Sequence, residues 1–351
     1  MQYLSTLWYT ENSLIDRYQS SFLGHLQEMW KKNMDDDIPT DEFLLFPDYH
    51  SLLIAINNDS SDKIEKYKDI LRRKFIEYKK GWISLNTEEI IPGTQILLTL
   101  DFENPYAYNF GHPDHIKQEI GIRYGSISPE EWRKLFASSF EIVKKVSPGF
   151  MDEINRVVKK IIPFDVSNQR HNSGSYGNAI GHLVMSYPIG MNHPELAVLE
   201  AILHEYNHNK LNLITQTDTL VLNDMSEMYY SPYRPDPRHI RGIYLGLHAL
   251  AWAFWVLWNA HRQKVITLPD YWIKKAVLYV LKNGLSIQVL SKYARLTDLG
   301  NQIFLEMQGV HKECLEFIKQ ENIDHETIAW VKYALTAHFQ SVKSHSPGLL
   351  A

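Results

Sequence analysis

The stretch AILHEYNHNKLNLI, Ala201–Ile214, holds two histidines four residues apart, His204 and His208, with Glu205 between them. On a helix that spacing sets both imidazoles on one face, close enough to share a metal ion. The surrounding residues predict the helix. Leu196, Leu199, Ile202 and Leu203 form an apolar stripe, and Pro194 suits a helix start. The pattern runs from about Glu195 to Leu211, so a helical metal-binding core is the expected centre of the fold.

Outward from that helix, FDVSNQRHNSGSYGNAIGHLVMSYP is polar and glycine-rich, then apolar. It predicts an irregular loop and a strand over 178–187, placed just before the metal helix where it could pair with an extended peptide. Further upstream, SPEEWRKLFASSFEIVKKV begins with a helix-start signature: Ser128 as cap, Pro129 at the first position, Glu131 at the third. Helices are expected over 11–33 and 61–80 and on either side of Pro47, with a short strand and a loop over 94–115. Downstream, a proline-studded loop, MYYSPYRPDPRHIRG, feeds the most apolar stretch, Gly242–Trp258. Helical patterns follow over Tyr271–Lys282, closed by Gly284, then 286–295, 298–320 and 324–341. The expected fold is mainly α with a small β-sheet. Residues 1–165 read as an N-terminal helical lobe with a possible role in substrate recognition. Residues 166–351 read as the metal-binding catalytic domain with a helical C-terminal part.

Composition narrows the classes. The chain has 351 residues, 44% hydrophobic and 22% charged, as in soluble globular proteins. A net charge of −5 offers no electrostatic drive toward nucleic acid or an anionic membrane. Cys314 is the single cysteine, which excludes an internal disulfide and suggests a reducing compartment. The N-terminus lacks a basic region followed by an apolar core, so the cytoplasm is the expected address. Gly242–Trp258 approaches membrane-span length, but it carries His248 and has arginines crowded at one end, which favours a buried central helix.

Two histidines do not complete a metal site, since zinc and iron both take at least a third protein ligand. Glu227 is one candidate and His248 the other. With Glu227, the motif reads as a zinc peptidase with Glu205 as general base. Three arginines, Arg234, Arg238 and Arg241, sit before His248. Arg241 is seven residues before it, two turns away on the same face and roughly 10 Å along the axis. A peptidase has no need of them. An iron oxygenase using 2-oxoglutarate does need a guanidinium for the far carboxylate of the keto acid. An equally plain reading pairs the arginines with Asp236 and Glu227 as surface charges. A non-catalytic binding protein is the third possibility.

SGSYGNAIGHLVMSYP, LEAILHEYNHNKLNLI and YYSPYRPDPRHIRGIYLGLHALAWAFWVLW together resemble the HExxH-domain family of peptide-modifying proteins, over roughly residues 170–260. The block Ser231–Gly242 is the most specific part of the resemblance. Members of that family are iron(II)- and 2-oxoglutarate-dependent β-hydroxylases acting on side chains of ribosomally made peptides, outside the jelly-roll fold. The resemblance implies His204, His208 and His248 as metal ligands and Arg241, or Arg238 in its place, as the 2-oxoglutarate clamp. It gives Glu205 a role in orienting a ligand or contacting substrate, and places Ser173 and Ser175 near the pocket. It implies Fe(II), 2-oxoglutarate and dioxygen as cofactors and a precursor peptide as substrate, ahead of a free or carrier-bound amino acid.

Overall fold

The computed structural model describes residues 89–98, 122–123, 127–166, 171–177, 180–216 and 218–345, with scattered helical residues between 24 and 72. The expectations for 41–58 and 99–115 lie outside the described residues, as do most of those for 11–33 and 61–80. The chain is mainly α with a small β-sheet. It forms two compact units, which among the described residues divide as 89–141 with 149–216, and 142–148 with 218–345. The expected domain boundary at 165–166 falls inside a strand, Lys160–Val166.

The first unit holds the sheet: β1 (Glu89–Ile90), β2 (Leu97–Leu98), β3 (Ile122–Arg123), β4 (Lys160–Val166), β5 (Ser173–Gly174) and β6 (His182–Ser186). The order is β1-β2-β4-β6-β5, with β3 pairing β4. β4 runs parallel to β2 and β6, while β5 runs antiparallel to β6. All five residues of β6 are buried. It lies between β4 and β5, so the strand read from the sequence as open to a peptide is closed on both sides. That expectation is corrected because a two-residue strand, too short to show any periodicity, precedes β6 and covers it.

Three helices belong wholly or largely to this unit: α1 (Pro129–Val146), α2 (Pro148–Val157) and α3 (Pro194–Ile214). The start of α1 is the capping box read from its sequence. Glu131 N–H donates to Ser128 Oγ at 3.2 Å, and Ser128 N–H donates back to Glu131 Oε2 at 3.1 Å. Before β6 the chain turns at Gly181 with φ +85°, a left-handed conformation that glycine adopts without strain.

The second unit is built on α4 (Ile240–Arg262), packed by α5 (Asp270–Tyr293) and α6 (Asp298–Gln320), with α7 (His325–His345) on α5. α4 is long and apolar enough to cross a membrane, and most of it is buried among its neighbours. Gly284 does not end a helix, as its sequence context suggested. α5 runs through it, and a Cβ there would lie 3.2 Å from His311 Nε2 of α6. The glycine serves close helix packing.

Candidate functional site

α3 is buried along nearly all its surface. Past its first turn, the only partly exposed positions are Glu200, His204, His208 and Asn212. Their four-residue spacing makes a single accessible stripe with the two histidines at its centre. The Nε2 atoms of His204 and His208 stand 3.0 Å apart, with the rings at 86° to each other. Without an ion, one ring nitrogen donates to the other at this distance. Two imidazole nitrogens each about 2.1 Å from one ion stand roughly 3.0 Å apart at a right angle and roughly 3.4 Å apart at a tetrahedral angle. Either spacing lies within a small side-chain adjustment of the pair, so the two nitrogens can share one ion. Burial and the neighbouring His204 push His208 down to about 4, against an opposing effect of Glu205, so this imidazole is neutral at physiological pH.

Buried polar side chains fix α3 in place. Ser173 Oγ donates to one Glu205 oxygen at 2.8 Å, and Ser175 Oγ to the other at 2.6 Å. Asn209 donates to the His182 carbonyl at 3.0 Å and accepts from Gly181 N–H at 2.7 Å, tying the helix to the start of β6. Lys210 pairs with Glu153 of α2 at 2.5 Å, and the Tyr206 hydroxyl donates to the same carboxylate oxygen. All three are buried. Tyr176 is raised above the ordinary tyrosine value by burial and by Glu205. The sequence did show one sign of this framework: Glu205, Asn207, Asn209 and Lys210 lie on several faces of one helix, and a buried helix with that pattern must find partners for them.

The other site candidates belong to the second unit. His248 is buried in the interior of α4, and Arg241 is exposed in its first turn. α4 is capped by His239, whose Nδ1 accepts from Arg241 N–H at 3.0 Å while Nε2 donates to the Asn223 carbonyl at 3.2 Å. Arg234 is exposed, and Arg238 pairs with Asp236 at 2.8 Å. The loop bearing them is held at several points. Tyr229 and Arg238 exchange both main-chain hydrogen bonds. Tyr233 lies against Gly246, where a Cβ would meet its ring at 3.0 Å, and its hydroxyl donates to Asn283 at 2.6 Å.

Glu227 accepts from Tyr229 at 2.6 Å, Arg295 at 2.9 Å and Asn223 at 3.1 Å. These donors pull it down to about 2. Its carboxylate is thus engaged by its own loop and by Arg295, a partner that sequence distance concealed. Within either unit, no group of three His, Cys, Asp or Glu among the described residues gathers as a metal-binding set. No family model matches the chain, and no curated protein does.

Proposed function

We propose that this protein is an iron(II)- and 2-oxoglutarate-dependent oxygenase that hydroxylates an unactivated carbon, the β-carbon first among them, in a side chain of a peptide. The observation that carries the reading is the state of Glu205. Each of its oxygens already accepts a hydroxyl from the β5 segment. A peptidase base needs a carboxylate oxygen directed at a metal-bound water. An oxygenase needs no such base, and there a clamped Glu205 orients the metal helix. The engagement of Glu227 by three donors weighs against it as a zinc ligand.

In this reading His204 and His208 bind the ion through Nε2, and His208 offers its lone pair without first losing a proton. Bound iron(II) with 2-oxoglutarate supplies the activation of dioxygen for C–H hydroxylation. Ser173 and Ser175 hold Glu205, and through it the rotation of α3. The family resemblance adds His248 as third ligand and Arg241 as the guanidinium for the distal carboxylate of 2-oxoglutarate. Arg238, paired with Asp236, is the poorer candidate.

Anaerobic addition of iron(II) and 2-oxoglutarate tests the proposal. The expected result is a weak visible charge-transfer band that requires both additions and disappears in His204→Ala. Loss of the band in His248→Ala and Arg241→Ala supports those two assignments. No band, together with tight zinc binding that depends on Glu227, returns the motif to a peptidase.

A further inference from the structure

The cap of α4 is an imidazole, and its two partners fix which nitrogen carries the proton. His239 takes the non-helical backbone of a helix cap, φ −60° and ψ 147°. Its Nε2 stands 3.2 Å from the Asn223 carbonyl oxygen, which only accepts, so Nε2 holds the hydrogen. Its Nδ1 stands 3.0 Å from the Arg241 amide nitrogen, whose N–H only donates, so Nδ1 keeps its lone pair. Both partners are main-chain groups with a single role, which leaves one tautomer.

Asn223 is in turn held by three more bonds. Its side-chain oxygen accepts from Arg295 N–H at 2.7 Å. Its amide nitrogen donates to the Tyr293 carbonyl at 2.9 Å and to Glu227 at 3.1 Å. Asn223 and His239 are both buried. The chain leaving α5 thus anchors the ring that caps α4. The first turn of α4 has no acidic residue to share that task. The amide that the ring binds belongs to Arg241, the second residue of the helix.

We propose that His239 is the positioning residue for Arg241, holding the first turn of α4 in the form that presents the guanidinium to 2-oxoglutarate. This rests on the role given to Arg241 above. Without the cap the first turn frays, and the guanidinium then binds only in the fraction of molecules where the turn is formed. His248 is buried two turns further along the helix, beyond the reach of that fraying. The loss therefore falls on the keto acid and spares the metal.

Anaerobic titrations of the full chain test this, with iron(II) and 2-oxoglutarate as the probes. His239→Ala should weaken 2-oxoglutarate binding to the iron-loaded protein roughly fivefold, the size of a lost helix cap, with iron(II) affinity unchanged. His239→Asn, whose side-chain oxygen caps the same turn, should restore it. Nitrogen NMR of the wild-type ring should show hydrogen on Nε2 and none on Nδ1. If His239→Ala does not fold, His239→Leu, which keeps the bulk without the acceptor, takes its place. Unchanged 2-oxoglutarate binding in that variant, with binding lost in Arg241→Ala, overturns the proposal and keeps the oxygenase reading. A parallel fall in iron(II) affinity, no recovery in His239→Asn, or hydrogen on Nδ1 also overturns it. No binding of 2-oxoglutarate by the wild type, or binding that Arg241→Ala leaves intact, removes the reading of Arg241 and this proposal with it.

Discussion

Glu205 separates two chemistries that share one motif. Ser173 and Ser175 make it the clamp between α3 and β5, and in the proposed oxygenase it would act on the metal through the orientation of its neighbours. Glu205→Gln should then weaken iron(II) binding about 10–100-fold, the usual effect of losing an outer-shell partner. Ser173→Ala combined with Ser175→Ala should shift affinity in the same direction. Calorimetric titration of the metal-free protein measures both. Unchanged affinity with abolished turnover would instead identify Glu205 as a general base. The histidine pair was legible from spacing alone, because a separation of four on a helix has only one geometric outcome. The resemblance set Ser173 and Ser175 near the pocket, but only the structure pairs them with Glu205, since nothing in SGS by itself points to a carboxylate about 30 residues downstream.

At the scale of elements, α3 depends on a buried ion pair to α2. Removing one partner strands the other's charge in the interior, so Lys210→Met should cost about 3–5 kcal/mol. Lys210→Met combined with Glu153→Leu should recover part of that loss, as no charge is left behind while the Tyr206 hydroxyl loses its acceptor. Urea unfolding followed by circular dichroism measures each, and a double variant no more stable than the single one would show that the pair does more than join helices. In α6, Gly300 admits no side chain, because a Cβ would meet the Leu220 carbonyl oxygen, a backbone atom unable to swing aside. Gly300→Ala should destabilise by about 1–3 kcal/mol in the same assay. Local signals were dependable where their chemistry is local, as at the Ser128–Glu131 capping box. They misled at Gly284, where the glycine answers to a neighbouring helix that no local pattern reveals.

For the whole molecule, acid should be destabilising in two stages. Burial holds His208 and His311 below the ordinary histidine value of 6.5, and burial with Lys282 nearby does the same for His338. An unfolded chain protonates these rings near 6.5, before the folded one does. Unfolding therefore takes up protons, and stability falls as pH drops below 6.5. Glu227 works in the lower range. Its folded value of about 2 lies below the ordinary 4.5, so its contribution is complete above 4.5 and is lost as pH falls from there toward 2. Scanning calorimetry of the metal-free protein should show a midpoint that declines from neutral pH downward. His338→Asn should flatten the upper part of the profile and Glu227→Gln the lower. A midpoint flat between pH 7 and 4 would contradict the first assignment.

Spacing and periodicity determined the helical character of the chain, the metal-motif helix, the capped start of α1 and the apolar course of α4. Each is a repeat or a short signature whose geometry follows from the helix itself. Tertiary structure alone decided the order of the strands in the sheet and which polar groups on α3 are satisfied. It also decided that Glu227 belongs to Tyr229, Asn223 and Arg295. Apart from Tyr229 and Asn223, which share the loop of Glu227, those outcomes rest on pairings between residues far apart in the chain. Burial makes each pairing obligatory, because an unpaired polar group in the interior is costly, but local sequence does not say which partner will supply it.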